Sequence, residues 1–83
     1  DDAAYWFLAQ CFQSGLKVPD DVAVTGFDGF LARKLPSRHL VTIDCQWTNV
    51  STLAMENMVK LLQGEEVAPE ECLPVKFVAG DTA

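Results

Sequence analysis

The sequence predicts an α/β fold in which helices flank a parallel sheet. Two segments with apolar residues at helical spacing alternate along the chain with short runs rich in β-branched residues. The first of these runs shows no clear alternation of apolar and polar side chains, as expected of a strand that is buried on both faces of a parallel sheet. The predicted order is helix, strand, loop, strand, helix, strand.

The first predicted helix covers about Asp2 to Ser14. Gly15 follows it at the place where a left-handed glycine commonly ends a helix. Tyr5 and Trp6 fall outside the apolar stripe, so we expect the outer face of this helix to meet another surface. The stripe at helical spacing consists of Ala4, Phe7, Leu8 and Cys11.

Three short runs predict strands, and a second apolar stripe predicts another helix. The strands are expected at residues 22–26, 40–43 and 73–80, with a loop at 28–39 between the first two. The second helix is expected to begin at Trp47 and to end at Gly64. Because the chain opens on a helix and not on the strand that would feed it, we expect these residues to be a piece of a larger parallel-sheet domain.

Composition and charge argue against several classes of function. The chain of 83 residues has a net charge of -6, and its six basic residues are scattered, so a duplex-binding surface is not expected. No apolar run reaches the roughly 20 residues that span a bilayer, so no membrane contact is expected.

Reactive side chains give equally little sign of catalysis or metal binding. Three cysteines lie far apart without CxxC spacing, which argues against a disulfide framework or a zinc site and favours a reduced, cytoplasmic protein. His39 is the single histidine, and a nucleophile paired with a base has little support in the sequence. We therefore expect neither an enzyme nor a bound cofactor or metal.

Asp28 is the first candidate for a ligand contact. It closely follows the predicted strand 22–26, and ligands of open α/β sheets bind beyond the carboxyl ends of the strands. The alternative is a carboxylate that caps its own turn, helped by Gly29. Its position in the sequence leaves both interpretations open.

Trp47 is the second candidate, because it begins a predicted helix just past the strand 40–43. An aromatic ring at that place can offer its face to a sugar or to a planar base. The alternative is an aromatic side chain that is tucked into the core at the start of the helix.

Three segments together resemble the C-terminal part of the LacI/GalR family of bacterial transcriptional regulators. They are "DDAAYWFLAQCFQSGLKVPDDVAVTGFDGF", "ARKLPSRHLVTI" and "LPVKFVAGDT". The pattern of that family contains Gly-Leu-x-Val-Pro-x-Asp-Val, Gly-Phe-Asp, a Leu-Thr-Thr-Ile strand, a long helix and a final Leu-Pro strand. The resemblance covers nearly the whole chain, and it depends on the order and spacing of these motifs.

The resemblance implies a fragment of a two-lobed, periplasmic-binding-protein-like (type I) domain. Residues 1–40 would belong to the C-terminal lobe, and 47–64 would form a helix of the N-terminal lobe. Residues 73–83 would return to the C-terminal lobe as a strand and tail. The segments 41–46 and 65–72 would be crossovers between the lobes.

The resemblance also implies roles for individual residues. Asp28 matches the aspartate of Gly-Phe-Asp, which lies in the cleft between the lobes and binds effector hydroxyl groups. Trp47 matches a place where some members put an aromatic side chain against the effector, and Cys45 precedes it along the crossover. A homodimer would form through the C-terminal lobe, and the residues implied in its interface are Tyr5, Trp6, Phe30, Leu31 and Leu35.

The function implied is that of a small-molecule sensor in a transcriptional regulator. A sugar or related metabolite would close the lobes, and the closure would change operator binding by a DNA-binding headpiece that lies outside this chain. The alternative of the same fold is a periplasmic sugar-binding protein of a transport system.

Overall fold

The computed structural model describes residues 1–29 and 38–83. These residues form helix α1 (Asp2–Ser14), strand β1 (Thr42–Asp44), helix α2 (Trp47–Leu62) and strand β2 (Lys76–Val78). The bounds predicted for α1 are confirmed, and α2 begins at the predicted residue. Both strands are shorter than predicted, and the strand predicted at residues 22–26 does not form.

Helix α1 ends as its sequence predicts and packs through its apolar stripe. Gly15 adopts φ 74° and ψ 12°, a left-handed conformation that a glycine reaches without steric cost. The Leu16 N–H group donates to the Cys11 carbonyl at 2.9 Å, which satisfies a carbonyl at the helix end. Leu8 of the stripe is buried against Val24 and Leu40 and forms the centre of a small core.

The predicted parallel sheet is not confirmed. Within the described part of the chain, β1 and β2 form a two-stranded antiparallel sheet, in which Ile43 lies opposite Phe77. Parallel pairing is limited to isolated bridges from Thr25 to Val41 and from Asp28 to Asp44. The direction has a simple cause: β1 leads out to α2 and β2 returns from it, so the two strands run in opposite directions.

Thr82 connects the segment around Val24 to the segment that leads into β1. Its hydroxyl accepts a hydrogen bond from the Val41 N–H group at 3.0 Å and donates to the Val24 carbonyl at 2.7 Å. The Val24 N–H group in turn donates to the Thr82 carbonyl at 2.7 Å. Since Thr82 is fully buried, these bonds satisfy backbone groups that water does not reach.

The molecule is elongated, and its core lies at the α1 end. It measures 59 × 18 × 16 Å and has a radius of gyration of 17.7 Å, whereas a compact domain of this length would have about 12 Å. In the described part of the chain, helix α2 has no buried residue, so its apolar side chains are exposed or only partly covered. No helix among the described residues is long and apolar enough to cross a membrane.

Candidate functional site

Asp28 stands in a strained loop that is held against the start of the crossover to α2. Its φ of 108° is unusual for a residue that carries a side chain, and such angles persist only where the surroundings enforce them. The Asp28 N–H group donates to the Ile43 carbonyl at 2.9 Å, and the Asp28 carbonyl accepts from the Cys45 N–H group at 3.2 Å. The carboxylate itself is 52% exposed, so its oxygens remain available to a ligand.

Gly29 allows this loop to approach the crossover closely. It has φ 67°, and a Cβ atom at this position would lie 2.6 Å from the Cα atom of Asp44. A side chain at residue 29 would therefore push the loop away from β1. The close approach to Asp44 therefore explains why residue 29 is a glycine, without reference to any ligand.

Trp47, the second candidate for a ligand contact, lies against the backbone of Asp28. The indole N–H group of Trp47 donates to the backbone carbonyl of Asp28 at 3.0 Å. The Trp47 side chain is not tucked into a core, since the residue is 49% exposed. The Trp47 indole and the backbone of Asp28 are thus in contact at the junction between the loop and α2.

Cys45 contributes its backbone to the site and part of its side chain to a neighbouring groove. Its thiol is free and half-buried. The groove has a volume of about 360 Å³ and runs between α2 and the segment that leads into β2. Its apolar lining includes Trp47, Val50, Leu53 and Leu73.

Gln46 connects the crossover to the returning segment. It adopts a left-handed conformation with φ 52° and ψ 53°, directly before α2. Its N–H group donates to the Asp44 carboxylate at 2.7 Å, and its side-chain amide donates to the Pro74 carbonyl at 2.7 Å. The start of α2 is therefore fixed to both the outgoing and the returning parts of the chain.

The beginning of α1 faces Asp28 from the other side. The Asp1 side chain is almost fully buried, with 2% exposed, and its carboxylate accepts a hydrogen bond from the Thr42 hydroxyl at 2.6 Å. Asp1, Asp2 and Asp28 line a hollow of about 430 Å³ together with Ala3. The hollow offers carboxylate oxygens, which accept hydrogen bonds from hydroxyl groups.

A charged cluster that the sequence did not predict holds the C-terminal tail. Arg38 donates through Nε to the Asp81 carboxylate at 2.9 Å and through Nη2 to the Val18 carbonyl at 2.7 Å. Desolvation raises the pKa of the Asp81 carboxyl, but hydrogen bonds from Arg38 and His39 outweigh it and hold that pKa below its ordinary value of 3.8. The cluster lies at the start of the segment that leads into β1, where it holds the C-terminal tail.

The residues expected in the dimer interface differ in their surroundings. Tyr5 packs partly against the core formed by Leu8, Val24 and Leu40, whereas Trp6 is 66% exposed. The other three expected residues, Phe30, Leu31 and Leu35, lie outside the described residues.

Residues 1–29 and 38–83 contain no group of three or more His, Cys, Asp or Glu side chains that could hold a metal ion.

The chain matches the model of one protein family over its whole length. The family is described as a periplasmic binding protein-like domain, and the match covers residues 1–83. No solved structure matches the chain significantly.

Curated relatives share about three residues in ten with the chain. The HTH-type transcriptional regulator GntR of Escherichia coli (strain K12) is 30% identical over 70 residues, which cover 84% of this chain and 21% of the relative. The probable HTH-type transcriptional repressor ExuR of Bacillus subtilis is 30% identical over 83 residues, 99% of this chain and 25% of the relative. The arabinose metabolism transcriptional repressor of Geobacillus stearothermophilus is 31% identical over 67 residues, 81% and 18% respectively. The chain therefore spans a quarter or less of the length of these regulators.

Proposed function

Since the chain belongs to the periplasmic binding protein-like domain family and is related to LacI-type regulators, we propose that it senses a small metabolite for a transcriptional regulator. The metabolite is a sugar or a sugar derivative that binds between two lobes. Binding changes the affinity for operator DNA of a headpiece outside this chain. The coupling requires that the ligand bind one lobe arrangement more tightly than the other.

The observation that carries this proposal is the hydrogen bond that joins the Trp47 indole to the backbone of Asp28. An ionised carboxylate accepts hydrogen bonds from sugar hydroxyl groups, and an aromatic face favours the apolar C–H side of a pyranose. The backbone carbonyl of Asp28 accepts a hydrogen bond from the Trp47 indole at 3.0 Å. From this contact we infer that the Asp28 carboxylate and the Trp47 ring bind one small ligand. Cys45 borders the same ligand through the adjacent groove.

The proposed lobes divide the chain at its crossovers. Residues 1–40 and 73–83 belong to one lobe, and the helix 47–64 belongs to the other. The segments 41–46 and 65–72 connect them. The antiparallel pairing of β1 with β2 supports this division, because one strand leaves the α1 end of the molecule and the other returns to it.

The relatives favour a regulator over the other members of the fold. Those named above are transcriptional regulators or repressors, so an enzyme or a periplasmic transport protein is not favoured. A protein that controls transcription works in the cytoplasm, where DNA is found. One relative is named for arabinose metabolism, which supports a sugar as the class of ligand.

We also propose that the regulator is a homodimer through the lobe that contains α1. Trp6 supports this proposal, since a large aromatic side chain that is 66% exposed commonly marks a contact surface. Tyr5 contributes its outer edge, while its inner edge packs on the core of its own lobe. Phe30, Leu31 and Leu35 are proposed to extend the same interface.

A ligand screen of the intact regulator tests the sensing function. L-arabinose, other neutral aldoses, sugar acids, sugar phosphates and nucleosides are added one at a time, and the unfolding midpoint is measured. A ligand at about 100 times its dissociation constant stabilises the effector domain by about 2.7 kcal/mol, which raises the midpoint by roughly 5 to 11 °C. A screen in which no compound raises the midpoint would contradict the proposal of a sugar.

The variant Asp28→Asn then tests the assigned contact. Asparagine tolerates a positive φ about as well as aspartate, so the variant removes the charge and leaves the loop conformation accessible. We expect ligand affinity to fall by about 1.5 to 3 kcal/mol, or roughly 10- to 150-fold. Asp20→Asn is the matched control, because Asp20 is an exposed aspartate outside the site. Equal affinity of the two variants would remove Asp28 from the site.

A further inference from the structure

We propose that the indole N–H group of Trp47 is a positioning group for Asp28, and that Trp47 offers a ligand only its ring. The inference rests on the proposed function, since it assigns separate roles to two parts of one side chain at the proposed site. The N–H group holds the backbone of the Asp28 loop, and the exposed ring face is left for the ligand.

The geometry around the Asp28 carbonyl supports the positioning role. This oxygen accepts two hydrogen bonds, from Trp47 Nε1 at 3.0 Å and from the Cys45 N–H group at 3.2 Å. On the other side of the same residue, the Asp28 N–H group donates to the Ile43 carbonyl at 2.9 Å. Both peptide groups that flank the Asp28 Cα atom are therefore fixed to residues of the crossover.

The strained backbone of Asp28 explains why such fixing is needed. A φ of 108° is unfavourable for a residue with a Cβ atom. Without the hydrogen bonds to the crossover, the Asp28 loop would move to a more favourable φ. Relaxation would turn the carboxylate, because φ sets the direction of the Cα–Cβ bond relative to the preceding peptide. The hydrogen bond from Trp47 opposes that rotation, so it determines where the carboxylate points.

The same bond limits what Trp47 can do for a ligand. An indole has one N–H donor, and in this structure it donates to the backbone carbonyl of Asp28. A ligand hydroxyl can therefore not accept a hydrogen bond from Trp47 unless the loop contact breaks. The ring, which is about half exposed, remains free to stack.

Hydrogen exchange of the Trp47 indole group tests the bond without any ligand. The intact regulator is labelled with ¹⁵N-tryptophan, and the variant Trp47→Phe identifies the Trp47 resonance. N-acetyltryptophanamide in the same buffer is the reference for a fully solvated indole, because Trp6 lies in the proposed dimer interface. We expect the Trp47 indole hydrogen to exchange at least about fivefold more slowly than that of N-acetyltryptophanamide. Equal exchange rates would overturn the inference.

A second measurement separates positioning of the loop from a general effect on stability. The variant Trp47→Phe keeps an aromatic ring but loses the N–H donor. The Cys45 N–H group donates to the same Asp28 carbonyl, so it should exchange about five- to tenfold faster in this variant. The unfolding midpoint should stay within about 2 to 4 °C of the parent, as expected for the loss of roughly one hydrogen bond. An unchanged Cys45 amide, or a faster exchange spread over all amides, would refute the positioning role.

The two proposals fail in different ways. A regulator that binds a sugar while its Trp47 indole exchanges freely contradicts the positioning role alone. A regulator with a protected Trp47 indole and a loop that loosens in Trp47→Phe, but without a ligand in the screen, contradicts the sugar-sensing function and supports the role of the N–H group in fixing Asp28.

Discussion

Replacing Thr82 by valine tests how the segment around Val24 is joined to the start of β1. Valine fills nearly the same volume, so no cavity term enters, but the hydroxyl that bonds both the Val41 N–H group and the Val24 carbonyl is lost. Each of these buried backbone groups costs about 1 to 3 kcal/mol when it has no partner. The Thr25 to Val41 bridge places the two groups near each other, so they can pair partly without the hydroxyl. We therefore expect a loss of about 1.5 to 3 kcal/mol.

Urea unfolding of the intact regulator, followed by circular dichroism, measures this loss by linear extrapolation. The thermal midpoint of an effector domain should fall by roughly 3 to 12 °C in parallel. Thr82→Ser is the matched control, because it keeps the hydroxyl and removes one methyl group, at a cost of about 1 kcal/mol. A valine variant as stable as the parent, or a serine variant that loses as much as the valine variant, would refute the assignment of these hydrogen bonds.

Three further substitutions test other parts of the structure. Gly29→Ala should lower the free energy of unfolding in urea by about 2 kcal/mol or more, because φ is positive at this position and the new Cβ atom would also meet Asp44. Gly64→Ala is the control and should cost about 1 kcal/mol, because φ is positive there too but the space around it is open. Equal costs would contradict the close approach of residue 29 to Asp44. The pKa of Asp81 is lowered in the folded protein, so the ionised carboxylate contributes stability above pH 3.8, and this contribution is lost as the pH falls through the folded pKa. The free energy of unfolding of Asp81→Asn should therefore fall less steeply with acid than that of the parent. The same dependence on pH in both proteins would count against the charged cluster. In the proposed homodimer, Trp6→Ala should raise the dissociation constant at least tenfold in sedimentation equilibrium, as for an interface residue worth about 1.4 kcal/mol or more. An unchanged constant would remove Trp6 from the proposed interface.

The helices could be read from the sequence because their signals are local. The stripe that contains Leu8 and Cys11 repeats at helical spacing, and Gly15 adopts the left-handed conformation that its position predicts. Helix α2 also begins at the expected residue, although its apolar side has no buried residue in this structure. Periodicity thus predicted where the helices form, but not how much of each helix is covered.

The strands were harder to predict because pairing is a long-range property. Residues 22–26 have the composition of a strand, yet they form only isolated bridges. The Val24 N–H group pairs instead with Thr82, which is distant in the sequence. Likewise, Arg38 and Asp81 are 43 residues apart, and nothing in the sequence around either residue indicates the other. Short runs of β-branched residues indicate extended backbone without fixing the partner or its direction.

The sequence identified Asp28 and Trp47 as separate candidates, because Asp28 follows the first predicted strand and Trp47 follows the second. The resemblance to the LacI/GalR family then implied that both residues lie at one ligand site. The sequence could not show that the contact between them runs from the indole to a backbone carbonyl. That detail depends on the left-handed turn at Gln46, which sets the direction in which α2 starts.

The proposed site and the proposed crossover are parts of one hydrogen-bonded unit. Ile43 of β1 binds the Asp28 N–H group, and the residues directly after β1 supply the two donors to the Asp28 carbonyl. A ligand that pulls on the Asp28 carboxylate therefore acts on the segment that carries α2, with no intervening layer of side chains. A change in the angle between the two proposed lobes would either move the Asp28 loop together with the start of α2 or break the Trp47 bond. The exchange rate of the Trp47 indole, compared with and without a sugar that binds, distinguishes these two modes of motion.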